Sequence, residues 1–522
     1  MQQICLDTSS FLKLRQLGCI YVDKTGYFHQ LLTGPNTCFF LSRPRRFGKS
    51  LMITTLKAIF QGRRELFDGL AIAQTDWKWD EYPVIHLNLA QSASATSAED
   101  FSKNFAPVVK SALVNAGASY DQDMPPAANF GQAIDELARK HGKGVVILID
   151  EYDDPVARLL HKPDEAETVR EMLATFYGQM KDRTELIRFL MITGVSKFTK
   201  VSVFSTLSNL DDLSFSDNFA TMLGYTEEEL DQYFPEHLCA HAQRMNLELS
   251  AYRSELKRWF NGYRFGYCND KTVYNPVSIN TNLAKHLPFF NAGWTDTGRP
   301  SMLMNFLKRE EFLNIDMESI SGVSQKDFDV TDIRALRTVP MLYQTGYLTI
   351  ADFDPKTQKF TLCVPDDEVR MDLALLTATV MTSHDSSWIS RLGYFLLEAQ
   401  WAEFFDGLKV LFASLPYGPK EGRIQEFSYE RCLTVLLKSQ GIQVTVEDRQ
   451  ANGQADIVAK HPCGVYVFEH KIGESAEAAL QQARAKGYAA PYLGDKDCPV
   501  WLIGLNFDPS THQLQDTAFE RA

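Results

Sequence analysis

The chain has 522 residues, 45% of them hydrophobic and 23% charged, which is ordinary for soluble protein and long enough for about two to four domains. Its net charge of −13 excludes a surface coated with basic residues for nucleic acid, though not a local basic groove. No stretch approaches about eighteen uninterrupted apolar residues, no leader is visible in Met1-Gln-Gln-Ile-Cys-Leu-Asp7 and the nine cysteines include no Cys-x-x-Cys pair, so the expectation is a cytoplasmic protein without membrane span, disulfide framework or zinc site, its thiols reduced.

Tyr21-Val-Asp-Lys-Thr25 leads into a helical stretch, Tyr27–Leu32, and Cys38-Phe-Phe-Leu41 then reads as a short strand. It runs into Ser42-Arg-Pro-Arg-Arg-Phe-Gly-Lys-Ser50, and Leu51–Phe60 has a helical pattern. Strand, turn, Gly-Lys-Ser and helix is the context in which loop amides and a helix N-terminus cradle phosphate. Arg43, Arg45, Arg46, Phe47, Gly48, Lys49, Ser50 and Leu51 are therefore candidate nucleotide-binding residues. Lys49 would reach the β- and γ-phosphates, and Ser50 would hold Mg²⁺. Where such loops usually begin with Gly, this one has Arg43 followed by Pro44, so it is stiffer and more basic. Its three arginines either supplement the phosphate site or face solvent.

Pro83–Leu89 reads as a strand, and Ala95–Ala116 and Phe130–Lys140 as helices. About one hundred residues after the Gly-Lys-Ser comes Val145-Val-Ile-Leu-Ile149, a strand buried on both faces, ending in Asp150-Glu151. Asp150 would stand behind the Mg²⁺ and Glu151 would orient an attacking water; the plainer alternative is an acidic pair capping a helix. Glu165–Lys181 is helical, and Ile187–Thr193 is a further strand. Thr193 or Ser196 at its tip would sense the γ-phosphate, unless Gly194 marks a simple turn there. Strands alternating with helices predict a parallel sheet.

Residues 221–415 read as mainly helical. Thr226-Glu-Glu-Glu229 is a capping-box pattern. Leu256–Phe260 runs into turns at Gly262 and Gly266, Val273–Ser278 reads as a helix start, and Leu342–Ile350 as helix end, turn and strand. No chemistry emerges from these residues; a lid and scaffold is the plain reading, with Tyr263, Phe265 and Tyr267 packing rather than stacking on bases. Together, Tyr21–Thr25, Arg43–Ser50, Ile149-Asp-Glu-Tyr-Asp153, Phe260–Gly266 and Val273–Pro276 resemble the AAA-ATPase-like family found widely in bacteria, over about residues 8–280. Trp294, Thr297, Gly298 and Leu342–Ile350 also recur in that family. The resemblance implies an ATP- and Mg²⁺-binding domain over 1–220 and makes Arg-Pro-Arg-Arg a family trait. Many ATPases of this kind draw an arginine from a neighbouring copy, so a homo-oligomer is among the partners implied.

The last hundred or so residues carry a second pattern. Gln425-Glu426 opens a helix whose apolar face is Cys432, Leu433, Leu436 and Leu437, ended by Gly441. A strand, Ile442–Glu447, and a polar turn, Asp448–Gly453, follow. Gln454–Ala459 and Val465–Lys471 form a hairpin around His461-Pro-Cys-Gly464, and Ala476–Gly487 is helical. Glu469 and Lys471 share a strand face, and pairing can bring Asp456 beside them. Two carboxylates and a lysine suit Mg²⁺-assisted phosphodiester hydrolysis: Asp456 and Glu469 as oxygen ligands, Lys471 to orient water or steady charge. The backbone carbonyl of His470 is a further candidate ligand, its side chain lying on the other face. The bare triplet alone reads as a surface salt bridge; its helix–strand–hairpin–helix setting is what points to chemistry. That setting resembles the PD-(D/E)XK nuclease superfamily, with Ala455 in place of the usual Pro. Glu426, Gln482 and Tyr488 match the extended pattern, so the resemblance adds Glu426 and Gln482 to the catalytic candidates and implies a nuclease-like domain over 416–522.

The expected fold class is thus α/β: an N-terminal P-loop NTPase parallel sheet, a helical middle and a C-terminal restriction-endonuclease-like α/β domain. The expected function is ATP binding and hydrolysis joined to Mg²⁺-dependent cleavage of DNA, with RNA also open, in bacterial defence or mobile-element biology. The alternative is a nucleotide-dependent switch whose non-catalytic nuclease-like domain holds nucleic acid or a protein partner.

Overall fold

The computed structural model describes all residues except 93–94, 198–209, 286, 292, 295–305, 308–316, 330–332, 383, 415–421, 451–452, 496–497 and 512; at 333 and 422–428 it describes the backbone alone. Thr297 and Gly298 therefore lie outside the described residues, as does the side chain of Glu426. The chain divides into two compact units, Met1–Asp366 and Asp367–Ala522.

The first unit is built on a parallel sheet of β1 (Cys38–Ser42), β2 (Val84–Asn88), β3 (Val145–Asp150), β4 (Ile187–Gly194) and β5 (Asp211–Asp212), in the order β2-β3-β4-β1-β5. Every residue of β3 is buried, which is why Val145–Ile149 is an unbroken apolar run before Asp150. β4 lies between β1 and β3, so the loop after β1, the acidic pair ending β3 and the tip of β4 meet at one edge of the sheet, where open parallel sheets place ligands. The expected helices form at Thr25–Thr33, Lys49–Phe60, Ala98–Asn115, Pro126–His141 and Pro163–Gly178.

In the middle, the Thr226 hydroxyl accepts from the Glu229 N–H and the Glu229 carboxylate accepts from the Thr226 N–H, so the capping box opens the helix Glu227–Tyr233. Two small sheets stand among the helices: β6 (Asn261–Tyr263) with β7 (Val273–Tyr274), and β8 (Ile320–Ser324), β9 (Thr349–Asp354) and β10 (Lys359–Cys363) in the order β8-β10-β9. The expectation of reduced thiols throughout needs correcting at one pair, since Cys5 and Cys19 are disulfide-bonded. The short helix Phe11–Gln16 and a left-handed Gly18 fold the chain back so that residues 14 apart meet, which spacing alone does not reveal. Among the described residues no helix is long and apolar enough to cross a membrane.

The second unit carries β11 (Gln443–Gln450), β12 (Gly453–His461), β13 (Gly464–Ile472), β14 (Val500–Phe507) and β15 (Leu514–Arg521), in that spatial order. β13 and β14 are parallel and the other neighbours antiparallel. Residues 448–450, expected in a polar turn, instead extend β11 and pair with 453–455. One sheet face buries Ile457, Tyr466, Phe468 and Leu505 with Cys432, Leu433, Leu436 and Leu437 of the helix Gly422–Lys438. The other buries Val458, Val467 and Leu502 with Leu480 and Ala483 of the helix Ala476–Lys486.

Candidate functional site

The loop between β1 and its helix turns through two left-handed residues, Arg46 (φ 70°) and Gly48 (φ 89°), the second being the N-cap of Lys49–Phe60. Lys49 is buried, and its ammonium donates to the carbonyls of Arg43 and Pro44, each at 3.0 Å. Residues Arg46–Met52 line a cavity of about 250 Å³. Glu151 and Lys24 also line it, and Tyr21, Val22, Leu223, Tyr225 and Val277 supply an apolar wall. The two family-like segments around Tyr21 and Pro276 thus belong to the same cavity as the loop.

Asp150 is 1% exposed, and neither carboxylate oxygen has a hydrogen-bond partner. Burial, reinforced by Glu151, pushes its pKa up to about 6, while the Ser50 hydroxyl and Lys49 pull in the other direction. A buried carboxylate with the Ser50 hydroxyl and the Lys49 ammonium near it is what a nucleotide-bound Mg²⁺ needs on its protein side, so the donor set fits that group. Glu151 adopts a left-handed conformation (φ 53°) at the end of β3.

The rest of the loop does something else. Arg43 is 1% exposed, so it does not face solvent. Its guanidinium donates to the carbonyls of Ser42 and Ser214, at 3.0 and 2.8 Å, and lies 4.2 Å over the Phe265 ring. Burial lowers its pKa to about 10. Arg45 pairs with Asp154 at 3.6 Å, and Arg46 donates to the Gly293 carbonyl at 2.6 Å. Phe47 packs edge-on against Tyr263 and Phe265. The Tyr263 hydroxyl donates to the Gly346 carbonyl at 2.8 Å, and a side chain at Gly346 would sit 2.7 Å from Pro44 and 2.6 Å from Trp294. At the tip of β4, Thr193 donates to the Leu41 carbonyl at 2.9 Å, and the Ser196 hydroxyl is held by Asp153. Both are buried.

In the second unit Glu469 and Lys471 project from β13 toward the helix Ala476–Lys486. Lys471 donates to the Gln482 side-chain oxygen at 2.7 Å, and the Gln482 amide donates to Glu469 Oε1. Glu469 is 2% exposed and its Oε2 has no hydrogen-bond partner. Burial first, then the Asp456 charge, push its pKa up to about 7, with Lys471 and His470 opposing. Here too the orphan oxygen beside a second carboxylate fits a hard divalent cation. Tyr488 is buried nearby, its hydroxyl 2.8 Å from where a side chain at Gly453 would begin.

Asp456 stands where β12 and β13 splay, one residue beyond their last paired residues, Ile457 and Phe468. Freed from the ladder, its Oδ2 accepts from the His470 backbone N–H at 2.9 Å and lies 2.7 Å from His470 Nδ1, on the opposite face from Lys471. His470 Nε2 lies 3.8 Å from Glu430, on the helix that carries Glu426. The structure therefore brings Glu469, Lys471 and Gln482 together and sets Asp456 between them and His470. Glu430 escaped the sequence reading, although it lies four residues from Glu426, one turn along the same helix face.

Residues 6–204 match the family described as AAA-ATPase-like, predicted AAA-ATPase, and residues 424–517 match the PD-(D/E)XK nuclease superfamily. The chain is 32% identical over 528 aligned positions to an "uncharacterized protein in vnfD 5'region" of Azotobacter chroococcum mcd 1, covering 98% of each sequence. No solved structure matches it.

Proposed function

Because the chain belongs to the AAA-ATPase-like family, with a PD-(D/E)XK nuclease superfamily domain at its C-terminus, we propose that it binds and hydrolyses ATP in the first unit and cleaves DNA in the second. The observation that carries this reading is common to both units. Each contains a buried carboxylate, Asp150 or Glu469, with at least one oxygen that has no hydrogen-bond partner, in reach of a lysine's charge. Folding leaves a buried charge uncompensated where function supplies the missing partner.

In the first unit Gly48 exposes the loop amides, Lys49 exchanges its two loop carbonyls for phosphate oxygens, and Glu151 orients water. In the second, Gln482 holds Glu469 and Lys471 in register, and Lys471 steadies charge on the scissile phosphate. Mg²⁺, when bound, supplies Lewis acidity at both sites. A homo-oligomer offering an arginine in trans, and a role in bacterial defence or mobile elements, belong to this reading by analogy with the family only.

A second reading, a nucleotide switch with a non-cleaving C-terminal unit, is favoured by the hold of His470 on Asp456. Plasmid and linear DNA incubated with Mg²⁺, with and without ATP, separate the two. Cleavage that disappears in Lys471→Ala, with unchanged circular dichroism, is expected. Wild type that cuts nothing while binding ATP, with binding lost in Lys49→Ala, establishes the switch instead. A Lys471→Ala variant that cuts like wild type refutes the assignment of the site.

A further inference from the structure

The cavity beside the β1 loop holds a polar group that phosphate chemistry leaves unused. Val277 and Asn280 stand three residues apart on one face of the helix Pro276–Lys285, and both line the cavity. That face is held firmly. The Asn275 side-chain oxygen accepts from the N–H groups of Val277, at 2.9 Å, and Ser278, at 3.2 Å, and so caps the helix. Tyr225 and Tyr274 exchange backbone hydrogen bonds at 3.1 and 2.8 Å, which ties Tyr225 to the strand leading into the same helix. The Asn280 Nδ2 donates to the Tyr225 hydroxyl at 3.2 Å, while its Oδ1 is buried with no hydrogen-bond partner. Such an oxygen costs stability until a donor meets it. Lys24, which also lines the cavity, is committed elsewhere: its ammonium is bound to the Thr221 carbonyl at 2.8 Å and to Glu229 at 2.6 Å. Asn280 is the one side-chain amide among the described residues that line this cavity.

We propose that the apolar wall of the cavity receives the purine of the nucleotide and that Asn280 selects adenine, its Oδ1 accepting from the exocyclic N6 amino group. The inference rests on the nucleotide reading of the first unit and adds the residue that reads the base. Tyr21, Val22, Tyr225 and Val277 suit the faces of a purine, which carry no hydrogen-bonding atoms. The edge of the base needs a polar partner. An amide presents an acceptor beside a donor, and adenine presents the complement, a donor at N6 and an acceptor at a neighbouring ring nitrogen. Nδ2 keeps a second hydrogen for that nitrogen after the one given to Tyr225. Guanine seated in the same way brings O6 against Oδ1, two acceptors with no proton between them. A purine lacking the amino group leaves Oδ1 as it is now, without a donor. Either mismatch is expected to weaken binding about tenfold or more, the usual discrimination of an amide–adenine pair.

The test titrates the full chain, with Mg²⁺, against ATP, GTP and purine riboside triphosphate, which is ATP without its N6 amino group. Wild type is expected to bind ATP about tenfold or more tightly than either of the others. Asn280→Ala is expected to lose that preference and to bind ATP and purine riboside triphosphate alike. Asn280→Asp keeps an acceptor and is expected to keep ATP ahead of purine riboside triphosphate, while its charge lowers the affinity for all three. A residue that only packs the helix would change the three affinities by one factor and leave their ratios untouched. Wild type that binds ATP and purine riboside triphosphate equally, or folded Asn280→Ala that keeps the wild-type ratio, overturns the assignment of Asn280 alone. Wild type that binds none of the three overturns the nucleotide reading and this assignment with it.

Discussion

Replacing Glu469 by Gln should stabilise the metal-free protein at pH 8. The native site raises this carboxyl from about 4.5 to about 7 by burying it beside Asp456. The native state therefore binds the proton more tightly than the unfolded chain, and stability falls as pH rises through that window. The penalty is absent below the unfolded value, grows between about pH 4.5 and 7, and is constant above. At about 1.4 kcal/mol per pH unit it reaches about 3 kcal/mol, or about 2 after discounting for solvent that reaches the Asp456 side of the site, where that side chain is 26% exposed. Gln keeps the oxygen that accepts from Gln482 and carries no charge. Its unpaired amide group costs about what the unpaired Oε2 costs now, so the charge is the difference. Thermal unfolding in chelator from pH 5 to 8 is the assay. The variant should melt within about 2 °C of wild type near pH 5 and about 4–8 °C higher at pH 8, given a second unit spanning Asp367–Ala522. Added Mg²⁺ should raise wild type and leave the variant unmoved. A variant less stable at pH 8, or offset equally at every pH, refutes the claim that Glu469 is held at an energetic cost.

Two further perturbations address the first unit. Lys49→Ala should abolish the stabilisation that ATP gives wild type, about 2.7 kcal/mol at a hundred times its Kd, as read by the thermal shift; an undiminished shift in the variant would place the phosphates elsewhere. Gly346→Ala puts a methyl group at a φ of 88°, 2.6 Å from Trp294 and 2.7 Å from Pro44, and should cost about 2–5 kcal/mol while weakening ATP binding. Denaturant unfolding and nucleotide titration check both effects, and wild-type values would show that the loop does not depend on this contact.

The parallel sheet of the first unit was legible because its strands are apolar runs separated by amphipathic helices, whereas its strand order, with β4 between β1 and β3, comes from the structure. The grouping of Glu469, Lys471 and Gln482 was legible because strand alternation and helix phase place those side chains with few alternatives. Alternation also explains the part that was not. It fails at Asp456, where β12 leaves β13 and the carboxylate turns toward His470. A splay between strands has no signature in residue type. Glu430 was hidden for a related reason: choosing between acidic residues one turn apart requires the helix position, and the sequence supplies only its phase. The place of Arg43 stayed open between phosphate site and solvent because residue type does not separate three neighbouring arginines, whereas in the fold the carbonyls of 42 and 214 and the ring of Phe265 give it a buried place.

The three signatures that yielded no chemistry on their own acquire a shared role through this loop. Phe260–Gly266 supplies Tyr263 and Phe265 around Phe47, Trp294 lies 5.9 Å from the Arg46 guanidinium, and Leu342–Ile350 supplies the glycine that lets Pro44 and Trp294 approach. A loop whose first residues were glycines would be free to remodel around phosphate. This one has Arg43, Arg46 and Phe47 held against the middle region and Arg45 paired with Asp154, while Arg46–Met52 line the cavity. Any movement of the loop on nucleotide binding must then repack Tyr263, Trp294 and Gly346, because close-packed aromatic contacts have discrete arrangements rather than a continuum. That is the physical reason a stiff Arg-Pro-Arg-Arg loop and an aromatic middle region occur in one chain: the first has something to transmit only if the second is in contact with it.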